Sequence, residues 1–123
     1  MKANELMIGD YIFVKPNGMP IKVAAVHHKK VAYHAVINKL TWVRESLLEP
    51  IPLTLEILEK NGFEDWDGWS IYSPENTGIE IAWLGTILKI GGECGNFELP
   101  AIEYIHQLQH ALRLCGIDKT IEL

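Results

Sequence analysis

The sequence predicts an α+β fold, with a small β-barrel over residues 1–53 followed by a helix–β-meander–helix unit over 54–123. Three observations predict it. Short β-rich stretches follow one another through roughly the first fifty residues with little helix between them. Two helix-like segments, each closed by a glycine, then bracket a second β-rich region. Between the halves, "EPIPLT" (49–54) is too short and too apolar for a flexible linker, so the halves are expected to pack as one unit.

The elements follow in order. "DYIFV" (10–14) reads as a first strand, and "PNGMP" (16–20) as a turn cluster. "IKVAAV" and "VAYHAVI" read as a hairpin around a four-residue polar tip, "HHKK" (27–30). "NK" (38–39) turns the chain into "LTWVR" (40–44). Curling these strands into a barrel removes the edges that an open four-stranded sheet would expose. Prolines 50 and 52 enforce extended backbone at the junction. Thr54 is placed to cap the helix "LEILEK" (55–60), and Gly62 to end it with Phe63 folding back on Leu58. A meander of three strands is expected from "GWSIYS" (68–73), "GIEIAWL" (78–84) and "TILKI" (86–90), with "NFEL" (96–99) as a candidate fourth. The last helix is expected over 101–115, with Pro100 in its first turn and Gly116 after its end.

Composition excludes several classes. Apolar residues at 48% and charged residues at 22% are ordinary for a soluble globular chain. No apolar run approaches the ~18 residues of a membrane span. The opening "MKANELMIGD" carries Glu5 and Asp10 and does not read as a signal peptide, so a cytoplasmic location is expected. Cys94 and Cys115 form no CxxC pair and are expected to be reduced. Cys115 is expected in the core and Cys94 exposed in the Gly-rich loop "GGECGN". The net charge of −5 is uneven: seven basic against four acidic side chains over 1–53, and four against twelve over the remainder. Such halves attract each other within a chain or between chains.

"MKANELMIGDYIFV", "PIPLTLEILEKNGF" and "YIHQLQHALRLCGIDKTIEL" are similar to an uncharacterised family of small cytoplasmic proteins. That family is common in gut bacteria of the Bacteroides group and in their prophages and mobile elements. The resemblance covers both ends and the junction, and the middle, 65–98, matches less clearly. It implies no activity and no catalytic residue. "GDYIFVKPNGMPIKVAAV" (9–26) resembles the opening hairpin of an SH3-like barrel of the KOW or Tudor sort, with Met19-Pro20 where a second glycine is usual. This makes the expected barrel an SH3-like one.

Three constellations could carry chemistry. His106 and His110 lie four apart, with Glu103 on the same face, which is metal-ligand spacing. The hydrolytic zinc motif needs Glu directly after the first His, and Gln107 stands there. At about 100° per residue both His fall opposite the stripe of Ile105, Leu108 and Leu112, so a solvated polar face is expected and no metal. His27, His28, Lys29 and Lys30 form a basic tip that could meet phosphate or an acidic partner. Trp66 and Trp69 in "DWDGW" have acidic neighbours, which suits a protein contact better than nucleic-acid stacking. Trp69 and Trp83 are also expected to anchor the second core. No nucleophile elbow, phosphate loop or dinucleotide fingerprint is present. The expectation is a non-enzymatic protein-interaction module of a phage or mobile-element type, without cofactor, that binds a protein partner or itself. The alternative is a nucleic-acid-binding accessory protein using the basic N-terminal half. The acidic half should weaken any hold on a polyanion.

Overall fold

The residues that begin strands and turns in the first half also decide how its N-terminus is held. Gly9 takes a positive φ of 95° and lets Asp10 fold back, so that the Asp10 carboxylate accepts the Met7 N–H at 2.8 Å. The carboxylate of Glu45 accepts the Ala3 N–H at 2.9 Å. The strands that follow are β1 (Tyr11–Val14), β2 (Met19–Lys22), β3 (Ala25–His27), β4 (Lys30–Val36), β5 (Lys39–Arg44) and β6 (Leu48–Glu49). The computed structural model describes every residue of the chain except Asn76, Glu93 and Cys94.

These strands form two antiparallel three-stranded sheets, β2–β1–β6 and β3–β4–β5. Both sheets bury residues in one core, Ile12, Ile21 and Leu48 from the first and Val31 and Val43 from the second, with Ala3 and Leu6. The expected barrel is not closed among the described residues: no ladder joins the two sheets into one cylinder. The basic tip is tighter than expected. Only His28 and Lys29 make the turn, with His28 at φ 52°, while His27 and Lys30 are paired strand residues.

The second β region is larger than the sequence reading. Strands β7 (Glu64–Trp66), β8 (Trp69–Tyr72), β9 (Glu80–Leu84), β10 (Ile87–Gly92) and β11 (Gly95–Leu99) form a five-stranded antiparallel meander in the order β11–β10–β9–β8–β7. The candidate strand "NFEL" lies in β11, and most of "GGECGN" is strand, with Gly92 paired to Gly95. Asp67 and Gly68 both take positive φ, the two-residue hairpin pattern that joins β7 to β8.

Helix α1 (Leu55–Lys60) starts and stops as its sequence requires. The Thr54 hydroxyl accepts the Ile57 N–H at 3.2 Å. Gly62 takes φ 91°, with Gly62 N–H to Glu59 C=O at 3.2 Å and Phe63 N–H to Leu58 C=O at 3.0 Å. This is the Schellman pair. The same pair ends helix α2 (Ile105–Leu114), through Gly116 to Arg113 at 3.0 Å and Ile117 to Leu112 at 2.9 Å. The start of α2 differs from the expected 101. Ala101 takes φ 62°, and Ile102 N–H donates to the Thr86 carbonyl at 2.8 Å. That sheet-like bonding holds the backbone out of the helix, so Pro100 lies outside it. Gln107 caps the true start, its side chain accepting the Tyr104 N–H at 3.1 Å.

The chain divides into two compact units, Met1–Pro52 with Tyr104–Gln109, and Leu53–Glu103 with His110–Leu123. In the second, Leu58, Ile81, Leu88, Leu112 and Ile121 are almost wholly buried. Trp83 anchors the sheet as expected, its Nε1 donating to the Ile102 carbonyl at 2.9 Å. Trp69 is only half-buried. Asn61, buried at the end of α1, holds the C-terminal segment. Its amide donates to the Glu122 carbonyl at 2.7 Å and accepts the Glu122 N–H at 2.8 Å, as a paired strand residue would. A third bond, from its Nδ2 to the Ile57 carbonyl at 2.7 Å, fixes the side chain on the helix.

Asn61→Ala should therefore cost about 1–3 kcal/mol, because it removes three part-buried hydrogen bonds to backbone groups. Chemical denaturation checks this. A loss within a few tenths would mean that water replaces the amide and that the C-terminal segment is not held through it.

Candidate interaction surfaces

The His pair does not form the polar face that its spacing suggests. His106 is buried at 6% exposure and its ring stacks on Tyr104 at 6.0 Å, while His110 is half-buried. Gln109 is buried as well, and no position from Ile105 to Arg113 is exposed. The periodicity located the apolar stripe correctly, since Leu108 and Leu112 are buried, but the side opposite the stripe is covered too. Glu103 is exposed. Among the described residues no group of three or more His, Cys, Asp or Glu is placed to hold a metal.

Two sheet faces carry the other singled-out residues. In the five-stranded sheet, Ser70, Ile81, Trp83, Leu88 and Ile90 are buried. Alternation sends their neighbours to the opposite face. There Trp66 pairs with Trp69 and Leu84 with Ile87 across their turns. Trp66 is 66% exposed and Leu84 42%. Beside this apolar row runs a second one across all five strands, Glu64–Ile71–Ala82–Lys89–Glu98. Lys89, the one cation in that row, lies 5.0 Å from the Trp69 ring centre. Glu80 stands between two shallow depressions of about 450 and 440 Å³, one shared with Glu64 and Trp66, the other with Lys89 and Glu98.

The second face belongs to β3–β4–β5. Val26, Val31 and Val43 point to the core. The rows on the other side are His27–Lys30–Arg44, then Ala25–Ala32–Trp42 with Ala32 itself buried, then His34–Leu40. Trp42 is 42% exposed, with Lys30 Nζ 5.0 Å from its ring centre and His27 edge-on at 6.3 Å. No Asp or Glu occurs between Asp10 and Glu45. Of the carboxylates in residues 1–52, Asp10 and Glu45 accept backbone N–H groups and Glu49 pairs with Lys15 at 3.4 Å. Among the described residues no ion pair engages Lys29, Lys30, Lys39 or Arg44.

The sequence reading named His27, His28, Lys29 and Lys30 but missed Trp42 and Arg44, which the pairing of β4 with β5 brings to the same face. The signal was present: Leu40, Trp42 and Arg44 alternate with Thr41 and Val43. The reading also missed the Asp-Gly turn inside "DWDGW", the strongest short hairpin signal in the chain, which makes Trp66 and Trp69 a cross-strand pair.

Cys115 is half-buried rather than fully in the core, and lines an apolar cavity of about 510 Å³ with Ile79, Phe97 and Leu114. Cys94 lies outside the described residues. Burial pushes the Cys115 thiol up from its ordinary pKa. The thiolate is the nucleophile, so Cys115 should react with iodoacetamide more slowly than a free thiol near neutral pH. Its labelling rate should rise at a higher pH than that of a free thiol. Mass spectrometry of the Cys115 peptide reads this, and labelling as fast as glutathione would contradict it.

No known protein family, curated protein or solved structure matches the chain.

Proposed function

We propose that the protein is a non-enzymatic protein-interaction module and that its contact surface is the outward face of the five-stranded sheet. One observation carries this reading: Trp66, Trp69, Leu84 and Ile87 form an apolar row along the turn end of a face whose next rows carry Glu64, Glu98 and Glu80. Exposed aromatic and apolar side chains beside charged ones suit a protein contact, where tryptophan is enriched. The chemistry selects a partner that presents cationic and apolar side chains. The two sheets of the first unit share one core, which supports an SH3-like arrangement for them. With the family resemblance at both ends, this supports reading the chain as a small cytoplasmic interaction module of a phage or mobile-element-type family.

A second reading has its own observation. The β3–β4–β5 face combines Lys30, Arg44 and Trp42 without a carboxylate, which suits a nucleic acid strand. The acidic second half opposes it by repelling phosphate.

A photo-crosslinker at position 84 should trap a discrete protein from the native host. Trp66→Ala should leave the fold intact and weaken that contact at least tenfold, as central aromatic anchors do. Unchanged affinity in Trp66→Ala, or crosslinking only to RNA or DNA, would defeat the reading.

A further inference from the structure

We propose that the partner of the outward five-stranded sheet is a second copy of this chain, which docks through its β3–β4–β5 face. The proposal rests on the interaction reading above and names its occupant. The argument is complementarity between two faces of one sequence. The β3–β4–β5 face and its first turn carry Lys29, Lys30 and Arg44 and no carboxylate. The five-stranded face and its first turn carry Glu64, Asp67, Glu80 and Glu98, with Lys89 held against Trp69. All of these groups except Trp69 are exposed, and among the described residues none of the seven oppositely charged groups is spent in an ion pair.

Each face also holds an exposed indole, Trp42 on one and Trp66 on the other. Docking therefore sets cations against an aromatic row and carboxylates against a cationic one, so each face supplies what the other needs. Both copies carry net charge −5, and their overall repulsion is screened beyond roughly 8 Å at physiological salt. Opposed rows in contact are screened far less. A polyanion meets the same acidic half with no cationic face for it to dock on. A second copy offers one.

The two faces differ, so the contact is head-to-tail. Association then continues past two copies unless a ring closes. Sedimentation velocity of the wild-type chain should show a weight-average mass that rises with concentration and falls at about 0.5 M salt. Lys30→Ser/Arg44→Ser removes one face, and Trp66→Ser/Glu98→Gln removes the other. All four positions are exposed, and circular dichroism of each variant confirms folding. Each variant alone should be monomeric. An equimolar mixture should give a one-to-one dimer that grows no further, because only one intact face of each kind remains.

A wild-type chain that stays monomeric to millimolar concentration overturns the proposal. So does an association that survives in either variant alone, or a mixture that stays monomeric. A labelled single-stranded oligonucleotide that binds the wild type below the self-association concentration, and not Lys30→Ser/Arg44→Ser, assigns the β3–β4–β5 face to nucleic acid and also overturns it. The interaction reading fails separately, when position 84 crosslinks to no protein of any kind. A crosslink there to a different protein, with a monomeric wild type, defeats self-association and leaves the module intact.

Discussion

Both outward faces depend on strand register. Side chains alternate along a strand, so a slip of one residue would exchange every buried side chain for its exposed neighbour. The turns prevent the slip. Asp67 and Gly68 both sit at positive φ and join β7 to β8 through two residues. Gly85, at φ 64°, does the same work between β9 and β10. Trp83 adds a side-chain lock, because its indole N–H reaches the Ile102 carbonyl only in this register. A shifted strand would carry that donor away from its acceptor and put Leu84 in the core. In the first unit, His28 and Asn38 take positive φ at the turns that flank β4. They set His27, Lys30 and Arg44 in one row.

Local signals were legible wherever one residue type answers one backbone need. Thr54, Gly62 and Gly116 were read from sequence because an exposed helix start wants an acceptor and a helix end wants a left-handed residue. The strands of the meander were legible from alternation. The start of α2 was not, because its cause is remote. Residues 101–104 have helical periodicity, but the Thr86 carbonyl takes the Ile102 N–H and Ala101 is turned left-handed. A tertiary bond outweighed a weak local preference. The role of Asn61 was hidden for the same reason, since its partner lies 61 residues away at Glu122. His106 shows the limit of a helical wheel. The wheel identifies the most apolar side of a helix, and says nothing about whether the other side is also covered.

Charge shows the same division between composition and placement. The sequence gives residues 1–53 a modest surplus of cations. The carboxylates of this half all lie outside β3, β4 and β5. Asp10 and Glu45 hold N–H groups near the N-terminus, and Glu49 faces Lys15. With no carboxylate in its strands, the β3–β4–β5 face is more positive than the count over 1–53 suggests. On that face the Lys30 ammonium lies over the exposed Trp42 ring, and Arg44 sits opposite Lys30 across the strands.

An open sheet that exposes tryptophan risks indiscriminate pairing, through its edges as well as its face. The edges of the five-stranded sheet are defended. Strand β7 is three residues long and carries Glu64 and Asp65, and β11 carries Glu98 and opens on Gly95. Short strands and like charges make poor templates for backbone pairing with a second chain. The face has no such defence along its turn end, where Trp66, Leu84 and Ile87 stay exposed. Blocking the edges while leaving the face open directs contact to side chains rather than to backbone. Contact through side chains discriminates by sequence, whereas an edge would accept any extended strand.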